Sequence, residues 1–403
     1  MSQTINERTI ALVKATVPAL EASGLEIVRE MYSRMFQNPE IRDLFNQSHQ
    51  DAAGAQPRAL TAAILAYASN IDNLAALAPA VERIAQKHVG LQILPEHYPH
   101  VGEALLSAIK AVLGDAATDE ILGAWGEAYW FLAKVLMARE ARVYDEQKAA
   151  EGGWNGWRDF RVEDVIRESS VISSFILRPV DGGAVIRHKP GQYLTFWFDI
   201  PGHAPAKRNY SISNAANGET YRISVKREPH GLASGWLHDH AKPGTILKVS
   251  PPAGEFFLAE LPQRPVVLLS GGVGLTPMVA MLETVAERHP GVAAHYIHGT
   301  HDRDTHAMRD HVRGLAKHRP SIKVTDFHQT PLADEQAGRD YDLAGLITDD
   351  WLIANTPVTE ADYYICGPRP FLRAAVSALS LAGVPSDRIH YEFFGPADEL
   401  LAA

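Results

Sequence analysis

What most constrains this chain is that the period of its hydrophobic pattern changes twice along one polypeptide. Up to about residue 145 the sequence is rich in Ala and Leu, and apolar residues recur at helical spacing. Ile10, Val13, Val17 and Leu20 form one such face, and Val101, Leu105, Ile109 and Val112 form another. Pro18, Pro39, Pro57, Pro79, Pro95 and Pro99 are spaced as helix starts or connections rather than helix middles. The pattern predicts an all-α domain of six to eight helices. The run EQKAAEGGWNGW at 146–157 then turns charged and Gly-rich, and beyond it the period falls to two. Strands are expected at 160–162, 172–177, 193–198, 222–225 and 246–249, separated by turn signals such as Asn217-Gly218 and Pro243-Gly244. That pattern suits an antiparallel β-barrel or sandwich. At Pro265-Val266-Val267-Leu268-Leu269 an apolar run of the buried parallel-strand type begins a third pattern. Helices are expected at 276–288, 304–316, 339–353 and 370–382, with strands at 294–298, 321–326 and 362–366 between them, which is the order of an α/β doubly wound domain. The expected division is therefore 1–145 all-α, 146–154 linker, 155–263 antiparallel β-barrel and 264–403 α/β.

Composition narrows the setting. With 46% hydrophobic and 21% charged residues, the chain fits neither a disordered polymer nor a membrane protein. The net charge of -10 argues against a general nucleic-acid or anionic-membrane surface. Cys366 is the only cysteine, so an internal disulfide and a Cys-rich metal or iron–sulfur site are excluded. The first twenty residues mix Glu7, Arg8 and Lys14 into the apolar pattern and hold no signal-peptide core. A reducing, cytoplasmic setting without obligatory membrane association is expected.

The strongest local signal is Ser270-Gly271-Gly272-Val273-Gly274-Leu275-Thr276-Pro277, directly after the strand at 265–269 and opening a helix. Glycines there let the backbone approach a pyrophosphate, and the helix N-terminus offers unpaired N–H groups. By itself the run is also an ordinary tight strand-to-helix turn. Tyr363-Tyr364-Ile365-Cys366-Gly367-Pro368 ends another strand at the same sheet edge, where Cys366 would border a crevice or serve as a small buried hydrophobe. In the middle domain Arg208-Asn209-Tyr210-Ser211 follows Gly191-Gln192-Tyr193, Arg208 lying 15 residues after Tyr193. An arginine beside a tyrosine and hydroxyls suits a diphosphate with a flat ring system.

In this order, Arg-x-Tyr-Ser, Gly-Gly-Val-Gly-Leu-Thr-Pro and Cys-Gly-Pro resemble the ferredoxin–NADP reductase superfamily over about 155–403. The resemblance implies FAD on the barrel, held by Tyr193, Arg208, Asn209, Tyr210 and Ser211. It implies NAD(P)H on the α/β domain, at Gly271, Gly272, Val273, Gly274, Leu275, Thr276 and Cys366. The closing Tyr391-Glu392-Phe393-Phe394-Gly395-Pro396 matches the segment that lays an aromatic, here Phe394, beside the flavin, with Phe393, Gly395 and Pro396 around it.

Of the four histidines in the helical part, His88 lies on a well-formed amphipathic helix. Phe45 precedes it by 43 residues, after Asn38-Pro39-Glu40, and Tyr32 lies on the helix before. This arrangement resembles a globin, and the whole chain is similar to the flavohaemoglobins. Residue by residue, the resemblance implies haem b ligated by His88, with Phe45 at the corner. Tyr32 is the distal hydrogen-bond donor, with Leu60 and Gln56 on the distal helix. Tyr98 and Glu140 order the proximal imidazole, and Lys87 and Glu392 are charged positions kept between haem and flavin. Two residues depart from the pattern. Pro57, without an N–H, must lie in the first turn of the distal helix, and Leu91 stands where an aromatic is expected.

The family's activity is nitric oxide dioxygenation, in which O2 and NO become nitrate with electrons passed from NAD(P)H through FAD to haem. O2 and NO are then the partners, of a monomer. An NAD(P)H-dependent O2 or peroxide reductase and an oxygen or NO sensor or carrier are the competing possibilities. Asp302 and Arg303, after the second parallel strand, point in opposite directions on NADH against NADPH.

Overall fold

The structure, a computed structural model, describes residues 5–44 and 55–395. Phe45 and Pro396 lie outside the described residues. Two compact units emerge. One takes the chain up to Ala149 together with Asp199–Lys207, and the other takes Ala150–Phe198 with the chain from Arg208 onward.

Up to Ala149 the described residues of the first unit are helical apart from their connections, and its Asp199–Lys207 segment carries the first two residues of a strand shared with the second unit. The helices are α1 (Glu7–Ala15), α2 (Val17–Met35), the single turn α3 (Pro39–Arg42), α4 (Ala55–Ser69), α5 (Ala78–Leu91), α6 (Tyr98–Leu113) and α7 (Asp119–Ala149). Prolines stand where a missing N–H costs nothing, in the first turns of α2, α3, α5 and α6. For the same reason the apolar face from Ile10 to Leu20 does not form one helix. Thr16 caps α1 and Pro18 starts α2, so Val13 and Leu20 reach the core from two elements. Thr16 Oγ1 donates to the Val13 carbonyl at 2.7 Å and accepts from the Trp125 indole at 3.2 Å, fixing that corner to α7. Ile27, Val28, Met31, Tyr32, Tyr67, Leu105, Ile109 and Trp125 form one continuous core with them. A smaller cluster of Ile93, Tyr98, Ala133 and Leu136 lies where α6 and α7 meet the end of α5.

The second unit opens with six strands: β1 (Arg158–Arg167), β2 (Ile172–Pro179), β3 (Tyr193–Phe198), β4 (Ala206–Ser211), β5 (Tyr221–Lys226) and β6 (Ile246–Val249). Their order is β4-β3-β6-β1-β2-β5. An antiparallel bridge from Ile212, just past β4, to Ile223 on β5 joins the two ends, so the sheet closes as a barrel. A helix, α8 (Leu232–His240), for which the period-two pattern gave no sign, is inserted before β6.

The remainder is a parallel sheet with helices on both faces, as the alternating pattern implied. Its elements are β7 (Val266–Gly271), α9 (Leu275–Arg288), β8 (Ala294–Thr300), α10 (Arg309–Ala316), β9 (Ile322–His328), β10 (Leu343–Ala344), α11 (Asp349–Asn355), β11 (Asp362–Cys366), α12 (Arg369–Leu381) and β12 (Ile389–Glu392). Strand order is β10-β9-β8-β7-β11-β12, so the direction of winding reverses between β7 and β11. Alternation along the strands feeds two cores. Val266, Leu268, Tyr364 and Cys366 join the layer with α9, while Val267, Leu269, Tyr363 and Ile365 join the one with α12. The helix expected at 339–353 is not formed. Leu343 and Ala344 pair with β9, Gly345 turns with φ +95°, and helix resumes only at Asp349 under the Thr348 cap. Similarly, the stretch expected as one helix at 304–316 is a short 3-10 turn at Arg303–Thr305 followed by α10.

Candidate functional site

In the helical unit the structure brings together three residues that are distant in sequence. His88, near the end of α5, places Nδ1 at 2.7 Å from Glu140 Oε1. Tyr98, at the start of α6, donates its hydroxyl to the same carboxylate oxygen at 2.6 Å and lies 3.1 Å from His88 Nδ1. A carboxylate oxygen only accepts, so Nδ1 carries the proton and Nε2 keeps its lone pair. Glu140 is 2% exposed on α7, which fixes the position of the imidazole that it orients. Burial, and then the bond to Glu140, push the Tyr98 hydroxyl well above the usual tyrosine range, so it stays a neutral donor. The helix carrying His88 ends at Gln92, in a left-handed conformation, and the Ile93 N–H returns to the His88 carbonyl at 2.9 Å. Leu91 packs on the cluster around Tyr98, and its carbonyl accepts from Lys207 Nζ at 2.8 Å, a buried lysine that burial lowers to about 8.

Sequence reasoning passed over two supports of this arrangement. Tyr129 Oη donates to the Tyr98 carbonyl at 2.6 Å, its ring lying where any side chain at Gly102 would have to go. Glu82 holds Arg139, the neighbour of Glu140, through bonds of 2.6 and 3.0 Å. Gly102 and an acid on the helix of His88 were the only signals available. Elsewhere in the helical unit, Tyr32 is buried on α2 and stacks on Phe36 at 5.2 Å, and burial keeps its hydroxyl protonated. Leu60 packs on the same core from α4. Pro57 does lie in the first turn of α4, with Gln56 beside it, and its carbonyl accepts from Thr61 Oγ1 at 2.8 Å. Lys87 is half-buried beside His88. An imidazole with Nδ1 engaged, a lone pair on Nε2 and an apolar lining that includes Val81, Ile84 and Leu91 fits a haem ligand.

On the barrel, Arg208 and Tyr210 are partly buried, Asn209 is exposed and Ser211 is buried. The Tyr210 ring sits edge-on to Phe196 at 5.6 Å. Burial lowers the Arg208 guanidinium from its usual value, a cost that a diphosphate at this place would offset. Tyr193 is buried with a hydroxyl that has no partner among the described residues, and burial and the charges of Glu255 and Glu392 raise its pKa. Its ring occupies the space that a Cβ at Gly254 would take, 3.1 Å away. These features fit a flavin with one polar edge toward Tyr193.

At the winding reversal of the parallel sheet a cavity of about 810 Å³ opens. Gly271, Gly272, Val273 and Gly274 line it together with Gly367, Pro368, Phe393 and Phe394. Gly274 is where the two motifs meet, since a Cβ there would collide with the Cys366 carbonyl. Gly272 adopts φ +55° just before α9. The backbone N–H groups at the start of α9 and the open floor left by the glycines fit a pyrophosphate. Cys366 itself is fully buried in the α9 core layer, because it shares the face of Tyr364, and burial pushes its thiol up. Leu275 is likewise core, and Thr276 is buried with Oγ1 bonded to the Val273 carbonyl at 3.1 Å. Phe393 lies under the Arg369 guanidinium, Phe394 is 46% exposed, and Gly395 closes a turn on the Phe393 carbonyl. Glu392 pairs with Cys366 across β11 and β12.

Comparison with known proteins agrees with this division of labour. The globin family model matches residues 29–136, the oxidoreductase FAD-binding domain 159–258 and the oxidoreductase NAD-binding domain 268–377. Fold and site thus define a globin joined to an FAD- and NAD-binding reductase, with haem, FAD and NAD(P)H as cofactors. The flavohemoprotein of Xylella fastidiosa (strain 9a5c) is 55% identical over 404 residues, covering 100% of both chains. That of Rhodopirellula baltica is 44% identical over 99% of this chain and 100% of its own. The crystal structure of flavohemoglobin from Malassezia yamatoensis, with bound FAD and heme, superposes with a TM-score of 0.87 at 26% identity, over 98% of this chain and 100% of that one. The FAD/NAD-binding domain of nitric oxide dioxygenase from Vibrio cholerae matches at 36% identity and a TM-score of 0.54, over 59% of this chain and 99% of that one. The chain belongs to the flavohaemoprotein family. It is an oxidoreductase whose globin part binds O2, and among the described residues no helix is long and apolar enough to cross a membrane.

Proposed function

We propose that the protein is an NAD(P)H-dependent nitric oxide dioxygenase that converts NO and O2 to nitrate. The observation that carries this reading is the His88–Glu140–Tyr98 arrangement in a chain that holds its own reductase. A carboxylate accepting from Nδ1 makes the imidazole a stronger donor at Nε2, which favours activating oxygen over storing it. When bound, FAD splits the electron pair of NAD(P)H into single electrons that haem iron, the site for O2, accepts one at a time. Tyr32 would offer a neutral hydroxyl donor to a ligand of the iron, with Leu60 packed on the same core. Tyr98 and Glu140 hold the proton on Nδ1. Gly271 to Gly274 would receive the pyrophosphate, Arg208 would hold the flavin diphosphate, and Phe394 would supply the aromatic for the ring system. The name of the Vibrio cholerae relative supports the same reaction. In this reading the protein works as a monomer in the cytoplasm, with O2 and NO as its small-molecule partners.

The test is rapid mixing of the NADH-reduced protein in air-saturated buffer with limiting NO. One nitrate per NO, with one NADH consumed for every two NO, is the expected stoichiometry. NADH oxidation that is indifferent to NO would instead identify an O2 or peroxide reductase.

A further inference from the structure

Hydride moves between a nicotinamide and a flavin only when the reacting atoms meet at about 3–3.5 Å, so the half of a reductase that holds one ring must be set against the half that holds the other. In the second unit the barrel carries Arg208 on β4, and the glycine turn opens α9. Apolar contact joins the two halves, since Ile172, Phe256 and Leu258 from the barrel side pack in the core layer of α9. Such contact is non-directional and leaves α9 open to small slips. A directional bond removes that freedom, and Glu283 on α9 makes several. Among the described residues the buried carboxylates are those of Glu140, Glu283, Asp326 and Glu335. Of these only Glu283 is bonded both to the barrel and to the α/β half.

Its Oε2 accepts from the Ala215 N–H at 2.6 Å, in the loop that continues β4 beyond Ser211. Its Oε1 accepts from Arg222 Nη2 on β5 at 2.7 Å and lies 2.7 Å from His311 Nε2 on α10. The same guanidinium donates to the Ser213 carbonyl and, at 3.2 Å, to the Ser213 hydroxyl, while the Arg222 N–H donates to Asn214 Oδ1 at 2.7 Å. The segment from Ser213 to Ala215 is thus held to α9 through one carboxylate. Burial works against the charge of Glu283, but the bonds from His311, Arg222 and the Ala215 N–H outweigh it and hold the carboxyl below its usual range. Arg288, at the end of the same helix, adds a bond to the Ala216 carbonyl at 2.6 Å. An ion pair buried to this degree contributes little net stability, because desolvation offsets its attraction, and what it adds is register. Glu283 lies roughly 12 Å along α9 from Leu275 at ~1.5 Å per residue, and a tilt of about 5° there would move the glycine turn by about 1 Å. A misplacement of that size costs reaction rate about a hundredfold.

We propose that Glu283 is a positioning residue for hydride transfer, clamping α9, the helix behind the nucleotide turn, to the flavin barrel through Ala215 and Arg222. The proposal rests on Gly271–Gly274 and Arg208 as the nucleotide and flavin sites and makes no use of the NO chemistry. It is tested in the haem- and FAD-loaded protein by anaerobic stopped-flow reduction of the flavin with NADH and with NADH deuterated at the transferred position. Flavin content and thermal midpoint are measured on the same samples. The paired variant Glu283→Leu with Arg222→Met removes both charges together, so FAD and the melt should be retained. Its limiting rate of flavin reduction should fall at least about tenfold, with the Kd for NADH within about threefold of wild type and an isotope effect no smaller. Glu283→Gln, which keeps the shape and loses the charge, should slow reduction about threefold or more, and it decides the matter should the paired variant fail to hold FAD. Reduction within about twofold of wild type in a variant that retains FAD would overturn the proposal. So would a slower rate that only tracks loss of FAD or of the fold in both variants, which assigns Glu283 to stability alone. Wild-type flavin that NADH fails to reduce would instead remove the assigned reductase sites, and the proposal with them.

Discussion

At the scale of single residues, the most informative contact is the carboxylate shared by His88 and Tyr98. Glu140→Gln keeps an acceptor for Tyr98 but removes the charge behind the imidazole. The expected result is retained haem, a higher haem midpoint potential by spectroelectrochemistry and turnover lowered about ten- to hundredfold. His88→Ala should abolish stable haem binding while NADH still reduces the flavin. A normal five-coordinate ferrous spectrum in that variant would refute the ligand assignment. Arg208→Ala should yield protein depleted of FAD, and full flavin occupancy after purification would count against its place at the diphosphate. His88, Tyr98 and Glu140 could be named from resemblance because each sits in a quotable motif. Tyr129 could not, since a hydroxyl bonded to a backbone carbonyl leaves no pattern in sequence beyond the small residue it packs on.

Among elements, the glycine turn between β7 and α9 shows what pattern alone conveys and what it omits. The run was readable as a pyrophosphate turn, whereas the need for Gly274 comes from the Cys366 carbonyl of β11, more than ninety residues later. Gly274→Ala should cost about 1–3 kcal/mol, as overpacking of a tight contact does. A lower thermal midpoint of the flavin-bearing unit and a raised KM for NADH would report it, and an unchanged melt would show that the turn has slack. The absent helix at 339–353 has a tertiary cause. The Asp342 carboxylate is claimed by Arg313 and the Asp326 N–H, both at distances below 3 Å, while Leu343 and Ala344 add a strand to β9. Those pairings, with the left-handed Gly345, outweigh a helical propensity of a few tenths of a kcal/mol per residue.

For the whole molecule, acid should act unevenly on the two units. In the second unit burial is the main force lowering His188 and His295 to about 4, and His298 and His306 to about 3. Their folded values lie below the unfolded value of about 6.5, so the unfolded chain binds more protons as pH falls. Stability from these groups is complete above that value and is lost progressively from pH 6.5 toward 4 and 3. Each group forfeits up to about 1.4 kcal/mol per pH unit in that window, so acidification to pH 5.5 should remove a few kcal/mol. In the helical unit burial lowers His97. Release of FAD fluorescence should therefore precede loss of the Soret band on acid titration, and the reverse order would contradict this account.

By itself the sequence determined the fold class, because hydrophobic period is local and each element's type follows from a few neighbouring residues, while the cofactors came from the family resemblance that its short motifs carry. Local pattern also placed the prolines at helix starts and the glycines at the nucleotide turn. Only the tertiary structure decided the tautomer at His88, the burial of Cys366 and the bonding of Glu283. It also decided where an apparent helix gives way to a strand. Each of these depends on groups far apart in the chain, and hydrogen-bond partners, burial and local charge acquire values only once the chain is folded.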